Sequence, residues 1–271
     1  MNREIEKLVS GLGFGEGPAW HADGWLVFSD IAGNRLMRWD EPGGARPYRD
    51  PSNKANGNAW DRQGRLVSCE HATSRVVRAE ADGSMSVLAS HYAGKEFNSP
   101  NDVAIGADGA ICFTDPTYGR IRADVGVVRD LQLAFRGVYR IDDAGLRLLA
   151  DDFDQPNGLC FTPDNRALYV NDTARKHIRR FEVLADGTVR GGDVWAKLEG
   201  EAPGVPDGMK CDRAGNVYCT GPGGLHVFDA DGARREVVAT PERLTNLTFA
   251  GPDLFLTAPS ALYRIAGFKQ A

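Results

Sequence analysis

Apolar residues in this chain come in short runs, each opened by a polar residue and broken by a tight turn. Six times the order recurs: polar residue, apolar run, turn, second apolar run. The openings are Glu16-Gly17-Pro18, Asn56-Gly57-Asn58, Asn101-Asp102-Val103, Asn157-Gly158-Leu159, Asp207-Gly208-Met209 and Asn246-Leu247-Thr248, spaced by 40, 45, 56, 50 and 39 residues. Turns such as Asp23-Gly24, Asp108-Gly109 and Asp164-Asn165 lead into second runs at 25–30, 110–115 and 166–172. The second-run copy at 253–258 is shortened. Apolar runs bounded by Gly, Asn and Asp read as buried hairpin strands. A third strand follows in every unit, alternating polar and apolar residues as a half-wet strand does, for example 35–40 and 177–182.

A strand-rich period of about 40–50 residues marks propeller blades. The expected fold is all-β: a six-bladed β-propeller with four antiparallel strands per blade. A fourth strand is visible in five units, and residues 4–9 supply the missing one. The N-terminal strand is therefore expected to complete the last blade and remove an open sheet edge. No amphipathic helix is expected. The repeat runs from end to end without a linker, so residues 1–271 read as one domain.

In such a ring the first strand of each blade lines the central channel. Glu16, Asn56, Asn101, Asn157, Asp207 and Asn246 are then brought to one mouth, together with the loops after the second strands. Those loops carry His71, Tyr118, Arg120 and Arg175. The long third interval reflects an excursion over 116–136 that can cover the mouth. Two carboxylates and several amides aimed at one axis suit a hard cation: Glu16 and Asp207 balance its charge, and Asn oxygens add neutral ligands. All-oxygen ligation favours Ca²⁺, with Mg²⁺, Mn²⁺, Zn²⁺ or Fe²⁺ as alternatives. Such an ion polarises a carbonyl and acidifies a bound water, and a neighbouring carboxylate takes the proton. His71 is a candidate second proton carrier. Asp30, Glu70, Asp115 and Asp172 also recur in register, but strand-end carboxylates of this kind tie down loops.

Composition narrows the partners. A net charge of −5 with dispersed basic residues offers no stripe for nucleic acid. No segment approaches the ~20 apolar residues of a membrane span. Residues 1–6 lack the apolar core of a signal peptide, and a cytoplasmic location is expected. Five cysteines without a Cys-x-x-Cys pair suggest buried thiols, neither a zinc site nor a disulfide framework. There is no nucleophile elbow, phosphate loop or dinucleotide fingerprint. Oligomeric state is left open.

Taken in order, Glu16-Gly17-Pro18, Asn98-Ser99-Pro100-Asn101-Asp102-Val103, Phe113-Thr114-Asp115-Pro116-Thr117-Tyr118-Gly119, Gln155-Pro156-Asn157-Gly158-Leu159, Pro206-Asp207-Gly208-Met209-Lys210 and Cys219-Thr220-Gly221-Pro222-Gly223-Gly224 resemble the gluconolactonase/regucalcin (senescence marker protein) family, its bacterial gluconolactonase branch in particular. The resemblance covers essentially the whole chain. It implies a six-bladed propeller, one catalytic divalent metal and hydrolysis of sugar lactones. By that resemblance the metal ligands fall on Glu16, Asn157 and Asp207, with Asn101 approaching the metal or the substrate and Asp207 acting as the base. The animal branch carries a substrate-contacting Arg where this chain has Ser99. Asn56, Asn101, His71, Tyr118, Arg120, Arg175 and Asn246 are then the candidates for sugar contacts. A metal-dependent lactonase acting on aldonolactones such as glucono-1,5-lactone is the first expectation. The same site in a phosphotriesterase or aryl esterase, and a calcium-binding propeller without turnover, are its rivals.

Overall fold

The computed structural model describes residues 4–268 and contains six four-stranded antiparallel sheets. Blade 1 is built from Gly15–His21, Trp25–Asp30, Arg35–Asp40 and Gly44–Arg49, running from the axis outwards. Blades 2 to 5 repeat that order, with innermost strands Ala55–Trp60, Val103–Ile105, Pro156–Phe161 and Met209–Cys211. Blade 6 takes Asn246–Ala250, Asp253–Ala258 and Ala261–Ile265 from the C-terminal end. Its outermost strand is Glu6–Ser10, antiparallel to Ala261–Ile265. The expected closure is thus observed, over 6–10 where 4–9 was anticipated. Arg264 pairs with Glu6 at 2.7 Å across this seam and also with Glu41 of blade 1.

The hydrophobic core lies between blades. Six clusters of buried residues occupy the six interfaces; Val67, Phe113 and Tyr139 join blades 2 and 3, while Phe28, Phe255 and Leu262 join blades 1 and 6. Each second strand is clamped on both faces by neighbouring blades, and all six residues of Trp25–Asp30 are buried. That is why these strands read as unbroken apolar runs and the third strands do not.

Two elements depart from the expected all-strand pattern. A small hairpin pairs His91–Tyr92 with Lys95–Glu96, and a four-residue helix, Tyr118–Ile121, opens the excursion. Too short to show helical periodicity, the helix is held by tertiary contacts. Arg120, 1% exposed, sends its guanidinium to the carbonyls of Phe97, Asn98 and Asp130 and pairs with Glu96. Arg129 binds Ala72, Ser74 and Glu96. Ser99 donates to the Pro116 carbonyl at 2.6 Å and accepts the Gly119 N–H at 3.0 Å. The excursion is bolted to blades 2 and 3 as a wall.

Candidate functional site

Five of the six polar residues that open the repeats sit where the innermost strand is irregular or has not yet begun; Asn246 is paired regularly with Thr257. Strand pairing is bulged between Glu16 and Ala19, between Ala55 and Asn58, and between Pro156 and Leu159; Asn101 and Asp207 lie just before their strands begin. A bulge re-aims a side chain that regular pairing would send between blades. The glycine after the ring residue has its own reason. A Cβ on Gly17 would lie 2.1 Å from the Asn56 carbonyl, on Gly57 2.6 Å from that of Asn101, and on Gly158 2.1 Å from that of Asp207. Gly57 and Gly158 donate their N–H groups to those same carbonyls. The repeated Gly marks the close approach of consecutive blades.

A second polar residue locks three of the ring carbonyls. It is the one just before the strand-end acid of the preceding blade. Ser29 donates to the Asn56 carbonyl at 2.6 Å, Thr114 to that of Asn157 at 2.8 Å, and Asn171 to that of Asp207 at 2.5 Å. The strand-end acids hold loops, as anticipated. Asp30 accepts from Gly13, Phe14 and Gly33, Asp115 from Asn98 and Ser99, and Asp172 from Asp154 and Gln155, all through backbone N–H groups.

Glu16, Asn56, Asn101, Asn157 and Asp207 all line one narrow cavity of about 110 Å³, although four blades or more separate some of them in the chain. All are buried, Asp207 being the most exposed at 9%. Glu16 and Asp207 share a hydrogen bond. Burial, then the Asp102 carboxylate, push Glu16 up to about 7. Burial, then Glu16, push Asp207 well above the ordinary carboxylate range. Two buried carboxylates coupled in this way do not both ionise, and one proton is held between them.

The amides have fixed orientations. His71 lies 3.0 Å from the Val125 carbonyl through Nδ1, so Nδ1 carries the proton and Nε2 is an acceptor. Nε2 therefore faces the Nδ2 groups of Asn56 at 3.2 Å and Asn101 at 3.5 Å. Thr173 donates to the Pro206 carbonyl at 2.6 Å and so must accept from Asn157 Nδ2, 3.1 Å away. In all three residues the amide nitrogen is occupied and Oδ1 is left as the free end. A donor set of two carboxylates and amide oxygens fits a hard divalent cation. No group of three His, Cys, Asp or Glu side chains placed to hold a metal is found among the described residues.

Other expected contacts are corrected. Arg120 does not reach the cavity, because its guanidinium is spent on the wall. Arg175 is directed at the Asp152 carbonyl and Asp172 and does not line the cavity. Asn246 lies beneath the ring and donates to Glu16 Oε2 at 3.1 Å while its Oδ1 accepts the Leu247 N–H. His71 does line the cavity; burial lowers it to about 4, and with Nδ1 on the Val125 carbonyl it stands there as a neutral acceptor. Tyr118 also lines it, with its phenol raised by burial to about 12. Lining residues that sequence reasoning missed include Phe14, Arg122, Thr173 and Arg243. All four belong to connections outside the regular strands, where the repeat gives no register.

A wider cavity, about 610 Å³, opens where the innermost strands end, among Trp20, Trp60, Ile105, Phe161 and Lys210. Its acid, Asp61, is bound to Arg65 at 2.7 Å. Volume favours this end and chemistry the other; a reactive site needs the converging donors, so the narrow cavity is the candidate.

Residues 14–260 match the model of the SMP-30/gluconolactonase/LRE-like region. The chain belongs to this family. A gluconolactonase of Zymomonas mobilis is 29% identical over 98% of this chain and 82% of its own length. The pentonolactonase XacC of Haloferax volcanii is 30% identical over 89% of this chain and 78% of its own. Among solved structures, a gluconolactonase of Xanthomonas campestris superposes with a TM-score of 0.90 at 37% identity, covering 97% of this chain and 89% of that one. The two chains share this fold over nearly the whole length of this one. No helix among the described residues is long and apolar enough to cross a membrane.

Proposed function

We propose that this protein hydrolyses sugar lactones at the narrow cavity, using a divalent cation held by Glu16, Asn157, Asp207 and Asn101. The observation that carries the reading is the buried Glu16–Asp207 pair facing amides whose oxygens are all turned free. The names of the relatives support the substrate class: gluconolactonase and pentonolactonase. Ca²⁺ is the first choice of ion, with Mg²⁺, Mn²⁺, Zn²⁺ and Fe²⁺ to be compared. When bound, such an ion polarises the lactone carbonyl and makes an attacking water more acidic.

The chain's own groups do the rest. Asp207 accepts the proton of the water that adds to the carbonyl carbon. As the ring C–O bond breaks, the same proton goes to the departing oxygen, which becomes a hydroxyl of the open acid. Asn101 and Asn56 offer Oδ1 to substrate hydroxyls, held in that sense by His71. Phe14, Ile31, Val125 and Val205 give the cavity dry walls. Glucono-1,5-lactone is the reference substrate. The test is acid release in a pH-stat from metal-stripped protein with each ion added back. Turnover should appear only with a metal and fall at least 10³-fold in Asp207→Asn. Full turnover in chelator, or in that variant, ends the proposal.

A further inference from the structure

We propose that the lactone opened here is anionic, a sugar lactone whose far end carries a carboxylate or a phosphate gripped by Arg243 and Arg122. This rests on the lactonase reading and adds the substrate's charge. Both arginines line the cavity. The guanidinium of Arg243 lies 5.6 Å from the Phe14 ring centre and that of Arg122 lies 5.7 Å from it. Two cations thus converge on one aromatic ring at the edge of the site. Among the described residues no hydrogen bond or ion pair is seen for the Arg243 guanidinium; what acts on it is the ring and the field of Asp207. Arg122 has one partner, the solvent-exposed Asp124 at 2.5 Å.

The unpartnered guanidinium decides the argument. Arg122 is held by the exposed Asp124 through both Nε and Nη2, a pair that solvent and a stronger anion can exchange, whereas Arg243 lines the cavity with no such partner among the described residues. Neutral polyols are met well by amides, hydroxyls and carboxylates, and none of these needs a guanidinium pair. Planar, multi-donor guanidinium forks match carboxylate and phosphate oxygens. The arrangement of amide oxygens for the ring and guanidinium groups for the tail describes a substrate with both ends. A role for Arg243 confined to stabilising the Asp207 carboxylate is the competing explanation, and it is indifferent to substrate charge.

The experiment compares kcat/KM of the metal-loaded full chain on glucono-1,5-lactone, its 6-phosphate and the 1,5-lactone of glucaric acid. One of the two anionic lactones should exceed the neutral one by about 10–100-fold, the range of one charge-assisted contact. Which of them does so separates phosphate from carboxylate. Arg243→Gln should bring the ratio towards one, mainly through KM of the anionic lactone. Arg122→Gln should do the same more weakly, and Arg243→Lys should retain part of the preference. Circular dichroism checks that each variant is folded. Equal rates on all three lactones in the wild type, or an equal loss on all three in Arg243→Gln, overturn the charge assignment and leave the lactonase reading intact. Opening of none of the three ends both.

Discussion

Thr173 governs the site without carrying charge, which makes Thr173→Val a clean perturbation. Its hydroxyl spends its one proton on the Pro206 carbonyl and accepts from Asn157 Nδ2, so valine of similar shape deletes two hydrogen bonds and adds no bulk. Each neutral bond contributes about 0.5–1.5 kcal/mol net, giving roughly 1–3 kcal/mol of lost stability. For a chain of this size that is a fall of a few degrees in Tm. The larger effect concerns the ion. With no acceptor behind it, the Asn157 amide is free to rotate and turn Nδ2 towards the cavity, replacing an oxygen ligand with a donor. Loss of such an orienting partner typically lowers metal affinity ~10–100-fold. Calorimetric titration of stripped protein with Ca²⁺ reads the affinity directly, and Thr173→Ser should restore it. A Thr173→Val protein that is less stable yet binds Ca²⁺ like the wild type would show that Asn157 is oriented by something else, or is not a ligand.

Three further outcomes follow from the same geometry. Gly158→Ala should destabilise the protein by about 1–3 kcal/mol, seen as a lowered Tm, because its Cβ would meet the Asp207 carbonyl at 2.1 Å; an unchanged Tm would mean that the blades separate freely. In metal-free protein Glu16 is raised from 4.5 to about 7, so the folded state holds a proton that the unfolded chain has already lost. Stability should fall as pH rises from about 4.5 through 7, by on the order of 3 kcal/mol relative to Glu16→Gln, and added metal should remove the difference; Tm measured in chelator between pH 5 and 8 tests the sign, and a rise relative to the variant refutes it. Arg120→Met strips donors from three buried carbonyls and should cost about 3–5 kcal/mol, with faster hydrogen exchange concentrated in 116–136; exchange unchanged in that stretch would show the wall is held elsewhere.

What the sequence disclosed depended on repetition. Six copies gave the blade count, the closing strand and the five cavity-lining ring residues, since each position could be read several times over. The excursion occurs once, so nothing in the pattern could show that Arg120 faces inward to its own wall while Arg122, two residues on, faces the cavity. Arg243 and Phe14 lie in the links just before and after the blade 6 seam, again outside the repeat. One signal was available and passed over. Ser29, Thr114 and Asn171 stand immediately before the recurring acids Asp30, Asp115 and Asp172, and a small polar side chain inside an otherwise apolar buried strand demands a partner. That partner is the neighbouring ring carbonyl.

These links explain how a β-propeller can hold a reactive centre at its axis with so few charges. Four ring carbonyls are fixed from the preceding blade: Asn101 by the Gly57 N–H, Asn56 by Ser29, Asn157 by Thr114, and Asp207 twice, by the Gly158 N–H and by Asn171. The side chains are fixed from behind, Asn157 by Thr173, Asn56 and Asn101 by His71, and Glu16 by Asn246 and the Gly17 N–H. With position and orientation both set by uncharged groups, the two carboxylates need no cationic residue between them to hold their geometry. Without a metal their mutual repulsion is relieved by the proton they share, so the divalent cation proposed for the site would bind in competition with that proton and release it.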